Sequence, residues 1–137
     1  MRTIEQIADD LRLLLAETYP LVRLSAAGGE AQFQEELRRL RPDQLPGVII
    51  AFDRAAFTAE NTLRECRLAV VLVDRFRADS ESRARALFQA AETLFGLFPP
   101  AGRMLNDGFC LPGECRAVAT DGAFFRLKLE LTIQQGV

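Results

Sequence analysis

The first twenty residues place apolar side chains at the period of a helix. Thr3 and Gln6 have the spacing of a capping box, in which each side chain bonds the other residue's backbone N–H. Tyr19-Pro20 ends the pattern, because proline disfavours helical backbone at the residue before it. The pattern therefore predicts an amphipathic first helix, with these apolar positions on one face: Ile4, Ile7, Leu11, Leu14 and Leu15.

Two short elements are predicted next. Residues 21–24 form a brief apolar stretch, which indicates a short strand, and the Ala-Ala-Gly-Gly segment at residues 26–29 is typical of a hinge. Phe33, Leu37 and Leu40 then lie on one face of a second helix, which stops near Pro42.

Two dense apolar runs predict central strands. Residues 48–52 (Val-Ile-Ile-Ala-Phe) and residues 67–73 (Arg-Leu-Ala-Val-Val-Leu-Val) lack polar alternation, which is typical of strands covered on both faces. The polar segment at residues 58–62 separates them, so we expect an antiparallel pair inside the sheet.

A long helix is predicted from Asp79 or Ser80, either of which can cap it, to Phe98. Pro99-Pro100 prevents its continuation. Its apolar stripe is expected to pack on the sheet: Leu87, Phe88, Ala91, Leu94 and Phe95.

The last third of the chain changes from loop signals to a period of two. Residues 101–114 carry four glycine or proline positions, which predicts a long surface loop. From Phe125 to Ile133 apolar and polar residues alternate, as in a strand with one buried face. Asp121-Gly122 is a hairpin signal between this strand and one ending near Thr120.

Together these elements predict one α+β domain over residues 1–137. Its helices are expected to pack on a four- or five-stranded, mainly antiparallel sheet. A chain of 137 residues with 49% hydrophobic content is long enough to bury a single core.

Charge and hydropathy narrow the classes of partner. A net charge of −2 argues against a protein whose main task is to bind nucleic acid, since phosphate contacts need an excess of basic side chains. The longest apolar runs are shorter than the roughly 18 residues of a membrane helix, and the start of the chain does not have the pattern of a signal peptide. We therefore expect a cytoplasmic protein with no membrane partner.

Candidate chemistry is sparse. The chain has no histidine, the commonest general base and a frequent metal ligand, so we expect no enzymatic activity. Cys66, Cys110 and Cys115 are expected to be reduced thiols, with no metal site and no cofactor. An arginine cluster at residues 75–85 could contact an acidic partner or phosphate, although the interleaved acids favour a solvated, self-paired rim.

The order of elements carries a family resemblance. Four stretches support it: residues 46–52, residues 67–77 with their strand and basic turn, residues 84–98, and residues 122–133. This layout resembles the tail terminator and tail completion proteins of long-tailed phages, particularly those of Mu-like prophages. The segment at residues 101–114 has no counterpart in that layout.

The resemblance implies a structural virion assembly protein without catalytic residues or cofactors. Such proteins form rings, commonly hexameric, that cap the tail tube and provide the surface to which the head docks. The implied partners are further copies of the chain, the tail tube and head-tail connector proteins. The implied location is the cytoplasm of a bacterial host and then the virion tail.

For such a ring, we expect contacts through the rim around Arg75 and Arg77, the turn region ending at Phe57, and the predicted loop that holds Arg103 and Phe109. Both aromatic rings lie in segments rich in turn residues, where an unpartnered ring would be exposed. Either ring could instead fold back onto its own core. The alternative function is a small α+β module that binds a ligand or partner, with residues 99–114 as a pocket wall.

Overall fold

A computed structural model describes residues 1–26, 30–58, 60–75, 80–118 and 124–136. The predicted α+β class is confirmed within these residues. The helices are α1 (Ile4–Ala16), α2 (Glu30–Arg38) and α3 (Ser80–Leu97), with a short 3-10 turn at Pro42–Gln44. The strands are β1 (Leu21–Ser25), β2 (Gly47–Phe57), β3 (Leu63–Arg75), β4 (Arg103–Leu105), β5 (Gly108–Val118) and β6 (Phe124–Gly136).

The strands form one mixed sheet in the order β1-β2-β3-β6-β5-β4. β1 pairs parallel with β2, and the other four pairings are antiparallel. The expected number of four or five strands is therefore wrong, because the sheet has six described strands. β4 was missed because a strand of three residues is too short to show a period of two.

The predicted loop at residues 101–114 is also wrong. Most of it forms the β4–β5 hairpin, in which Arg103 lies opposite Cys110 and Leu105 opposite Gly108. Pro112 and Gly113 lie inside β5, where the pairing with β6 shifts register. Proline and glycine are tolerated at such a bulge, so the same residues that usually signal a loop occur here within a strand.

The sheet is covered unequally on its two faces. α1 and α3 share one face, called here the two-helix face, where the main core includes Leu11, Val70 and Leu129. α2 covers part of the opposite face, where Leu37 packs with Val71. The expected burial on both faces is confirmed for residues 68–73 of β3 and residues 48–50 of β2, whereas Phe52, expected in the same buried strand, is exposed.

The start of α1 is fixed by the predicted capping box. The Gln6 backbone N–H donates to Thr3 Oγ1 at 3.1 Å, and the Thr3 backbone N–H donates to Gln6 Oε1 at 2.9 Å. Next to it, the buried Gln135 amide donates to the Arg2 carbonyl at 3.0 Å and accepts from Arg64 Nε at 2.9 Å. These bonds join the beginning of the chain to the start of β3 and the end of β6.

The packed face of α3 differs from the predicted stripe. Leu94 and Phe98 are fully buried, whereas Phe88 is 69% exposed and Phe95 is 38% exposed. Phe88 and Phe95 are seven residues apart and therefore share one flank of the helix. The predicted stripe was too wide to face the sheet along its whole width, so this flank faces solvent.

No described helix is both long and apolar enough to cross a membrane.

Candidate functional site

The candidate site consists of two open edges at opposite sides of the sheet. β1 pairs only with the first part of β2, so residues 52–57 have no strand on their outer side among the described residues. β4 pairs only with the beginning of β5, so residues 111–118 are likewise open among the residues described. An open edge presents unpaired backbone N–H and C=O groups, which another strand can pair with.

The open part of β2 carries two exposed aromatic rings. Phe52 is 58% exposed and Phe57 is 54% exposed. The pairing with β3 moves from Phe52 opposite Leu68 to Arg54 opposite Arg67, so Asp53 is the extra residue of a bulge. The bulge keeps Phe52 and Phe57 on the same side of the sheet, the two-helix face to which Leu68 belongs.

The open part of β5 lies beside the exposed flank of α3. α3 contacts β5 and β6, and on its α1 side Gln89 and Thr93 line a cavity shared with the end of α1. Helical geometry places Phe88 and Phe95 on the opposite flank, away from α1 and on the side of β5. Each open edge is therefore accompanied by exposed aromatic side chains.

The two predicted aromatic anchors have different environments. Phe57 is exposed, and it lies in strand β2 and not in the predicted turn region. Phe109 is half-buried, and its ring covers Gly102 so closely that a Cβ there would overlap it. The Phe109 ring therefore packs against its own chain, which was the alternative expected for this residue. Met104, directly opposite Phe109, is a large apolar residue of that hairpin that is exposed, at 67%.

Two of the predicted arginines are described, and they lie at different ends of the sheet: Arg75 is opposite Phe124 of β6, and Arg103 is opposite Cys110, which pairs with Ile133. Arg75 is exposed at the end of β3, and its backbone N–H donates to the Asp74 carboxylate at 2.8 Å. Arg77 lies outside the described residues. Arg103 Nη1 donates to the Leu97 carbonyl at 3.2 Å, so this guanidinium bonds the last turn of α3.

Sequence reasoning missed Phe52, Phe88 and Phe95 as surface residues. Phe52 was assigned to the buried strand, yet the charged pair Asp53 and Arg54 directly follows it and could have indicated the end of burial. No comparable sequence signal separates the exposed Phe88 and Phe95 from the packed residues of α3, because their spacing also fits the buried face of a helix.

A separate surface cavity of about 250 Å³ lies where the end of α1 meets α3 and the end of β3. Its lining includes Tyr19, Leu72, Asp74 and Gln89, and none of residues 99–114, so the expected pocket wall does not form this cavity. The Tyr19 hydroxyl is buried and has no hydrogen-bond partner among the described residues. Burial raises the pKa of Tyr19 to about 12.

The Tyr19 environment predicts a specific pH dependence of stability. Below pH 10 the hydroxyl is protonated whether the chain is folded or unfolded. Between pH 10 and 12 the unfolded chain loses this proton more readily, so stability should fall by up to about 1.4 kcal/mol per pH unit. Tyr19→Phe should remove this contribution and change stability little at pH 7. Denaturant titrations of both proteins at pH 7, 9 and 11 test this, and equal losses at pH 11 would refute it.

The three cysteines have protected environments. Cys66 and Cys110 are buried and Cys115 is half-buried. Burial raises the pKa of each thiol, that of Cys110 to about 12 with Arg103 opposing the shift, so thiolate formation is disfavoured near neutral pH. Within the described ranges, no three His, Cys, Asp or Glu side chains are grouped as metal ligands.

Comparison with models of known protein families finds no match, and a search of curated proteins finds no matching relative.

Proposed function

We propose that this chain is a structural virion assembly protein whose copies form a ring, commonly hexameric in the family it resembles, that caps a phage tail tube and offers a surface for head joining. The observation that carries the proposal is the pair of open sheet edges, each with exposed aromatic side chains. The two edges differ from each other, and contacts between unlike surfaces generate rings when the rotation closes.

The proposed partners are further copies of the chain, the tail tube and the head-tail connector. Phe57 and Phe88 are the proposed contact residues, since each is large, apolar and more than half exposed beside an open edge. Arg75 is the described member of the proposed charged rim and remains accessible at the end of β3.

The proposal is tested by sedimenting the purified protein with tail tubes of the phage that encodes it. A cap binds tube ends, so shearing the tubes at constant total mass should increase the amount of protein that co-sediments. Phe57→Asp should reduce this binding at least tenfold, because it places a charge in an apolar contact. Leu13→Asp is the matched control, since Leu13 is 70% exposed, belongs to neither open segment, and lies on the side of α1 that faces away from the buried Leu11 and Leu15.

Binding that follows tube mass and not the number of ends would contradict a cap. So would equal binding by the wild type and Phe57→Asp.

A second candidate function is a ligand-binding module, and the cavity beside Tyr19 and Asp74 favours it. The cavity is lined by apolar residues, among them Leu72 and Ala90, and by the polar residues Asp74, Gln89 and Thr93, a combination that small-molecule sites also have. A small molecule that raises the melting temperature of the wild type but not of Ala90→Trp, which fills the cavity, would support this function.

A further inference from the structure

We propose that neighbouring copies join through their sheets: residues 52–57 of β2 in one copy pair antiparallel with residues 111–118 of β5 in the next. This inference rests on the ring formation in the proposed function, and it names the surfaces that meet. β2 and β6 are both antiparallel to β3, and β5 is antiparallel to β6, so β2 and β5 run in opposite directions within one sheet. A second copy set beside the first in the same orientation therefore presents an antiparallel partner.

The alternation of side chains restricts the register of this pairing. Ala55 and Phe57 lie on the two-helix face of β2, because Ala55 is opposite the buried Cys66. Cys115 and Ala117 lie on the same face of β5, since their partners in β6 are buried in the same core. In a continuous sheet Ala55 must lie opposite a residue of β5 on the same face, which is Pro112, Cys115 or Ala117. Pro112 has no backbone N–H to donate to a neighbouring strand, which leaves Cys115 and Ala117.

Charge selects between these two registers. With Ala55 opposite Cys115, Arg54 would lie directly opposite Arg116, and like charges in that position are destabilising. With Ala55 opposite Ala117, Arg54 lies opposite Val118 and Phe57 lies opposite Cys115. The second register avoids the repulsion, so it is the one assigned here.

The assigned register also joins the exposed apolar surfaces. Phe57 lies on the two-helix face over Cys115, which packs against the core beneath α3. The exposed flank of α3 with Phe88 and Phe95 lies on the same face and on the same side of the molecule. The contact would therefore cover aromatic rings that are more than a third exposed in the single chain.

The two open segments are staggered, and the stagger is consistent with a closed ring. Ala55 pairs with Cys66, which pairs with Ile133 of β6, so Ala55 lies at the level of Ile133 along the strands. Ala117 pairs directly with Leu127 of β6. The two positions that would pair between copies therefore differ in height by six residues of β6. Six residues correspond to about 20 Å along the strands, and the four columns that each copy adds to the shared sheet (β2, β3, β6 and β5) span about 19 Å across them. Each step from copy to copy is perpendicular to the ring axis if the strands tilt by about 45°, the upper end of the usual tilt in closed β-barrels.

The same stagger sets where β1 of the next copy lies relative to the open part of β5. The last residue of β1, Ser25, is level with Glu130 of its own β6. The stagger shifts the next copy by six residues along the strands, so its Ser25 lies at the level of Phe124 in the first copy. This level is beyond Val118, the last paired residue of β5 in the first copy. β1 of the next copy therefore lies in line with β5 of the first copy and does not overlap residues 111–118, the open part of β5.

Disulfide trapping tests the register. Cys66 and Cys110 are fully buried, which leaves Cys115 as the most accessible native thiol. Phe57→Cys, assembled with tail tubes and oxidised with diamide, should form covalent multimers with Cys115 of the neighbouring copy, seen as a ladder on a non-reducing gel. Adding Cys115→Ser should abolish the ladder. Ala56→Cys is the matched control, because position 56 faces the opposite side of the sheet, and it should give no ladder.

The Phe57→Cys variant removes a proposed contact residue and could fail to assemble for that reason, so a second variant keeps Phe57. Ala55→Cys combined with Ala117→Cys keeps Phe57 and places the new thiols directly opposite each other in the assigned register. Absence of multimers in both variants, while the protein still binds tube ends, would overturn the edge pairing and leave the proposed function standing. A ladder formed by protein that does not bind tube ends would support the pairing and overturn the capping function.

Discussion

Replacing Phe98 with alanine is expected to lower the free energy of unfolding by about 3–5 kcal/mol. Phe98 is fully buried in the core between α3 and the sheet, just after the last turn of the helix. Its backbone N–H also donates to the Leu94 carbonyl at 3.0 Å, so the backbone is held while the ring fills the core. Truncation would leave a cavity that the surrounding strands can fill only in part. Urea titration followed by circular dichroism measures the change.

Phe88→Ala is the matched control for Phe98→Ala. It removes the same atoms from a residue within α3, but Phe88 is 69% exposed, so the free energy of unfolding should change by no more than about 0.5 kcal/mol. The same variant should weaken binding to tube ends, which separates its role in assembly from any role in folding. A large loss of stability in Phe88→Ala would place this ring in the core and contradict the orientation of α3.

Gly102→Ala is expected to destabilise the protein by about 2–4 kcal/mol, through backbone strain and overpacking together. Gly102 has a φ of +93°, a conformation that residues with a Cβ rarely adopt. An added Cβ would also overlap the Phe109 ring. The glycine therefore allows the chain to turn from α3 into β4 beneath that ring. Thermal unfolding of the variant measures the effect.

Gly96→Ala is the opposite case within the same region of the chain. Gly96 lies in α3, and a Cβ added there would contact nothing within 4 Å. Alanine at this position should stabilise the helix by about 0.5–1 kcal/mol, since glycine has the larger entropy loss on folding. If both variants were destabilised equally, the strain assigned to Gly102 would not be the cause.

Much of the fold could be predicted from local patterns. α1 and its cap, the β2–β3 hairpin and β6 all have strong periodicity or recognisable boundary residues, and each occurs in the structure. The β4–β5 hairpin could not be predicted in the same way. Its first strand is too short to show alternation, and Pro112 and Gly113 are accommodated by a bulge that only the pairing with β6 reveals.

The candidate site was less predictable than the fold. Exposure of Phe57 and Phe52 depends on β1 ending before it reaches them, which is a property of sheet pairing and not of local sequence. Burial of Phe109 depends on Gly102, a contact across the hairpin. Exposed and packed apolar residues on α3 fit the same helical spacing, so only the rotation of the helix about its own axis distinguishes the exposed Phe88 from the packed Leu87.

The most direct test of the central claim is electron microscopy of tail tubes incubated with the purified protein. We expect extra density at tube ends only, with the rotational symmetry of a closed ring, and loss of that density with Phe57→Asp but not with Leu13→Asp. Bare tube ends with the wild-type protein, or density along the sides of the tubes, would contradict it.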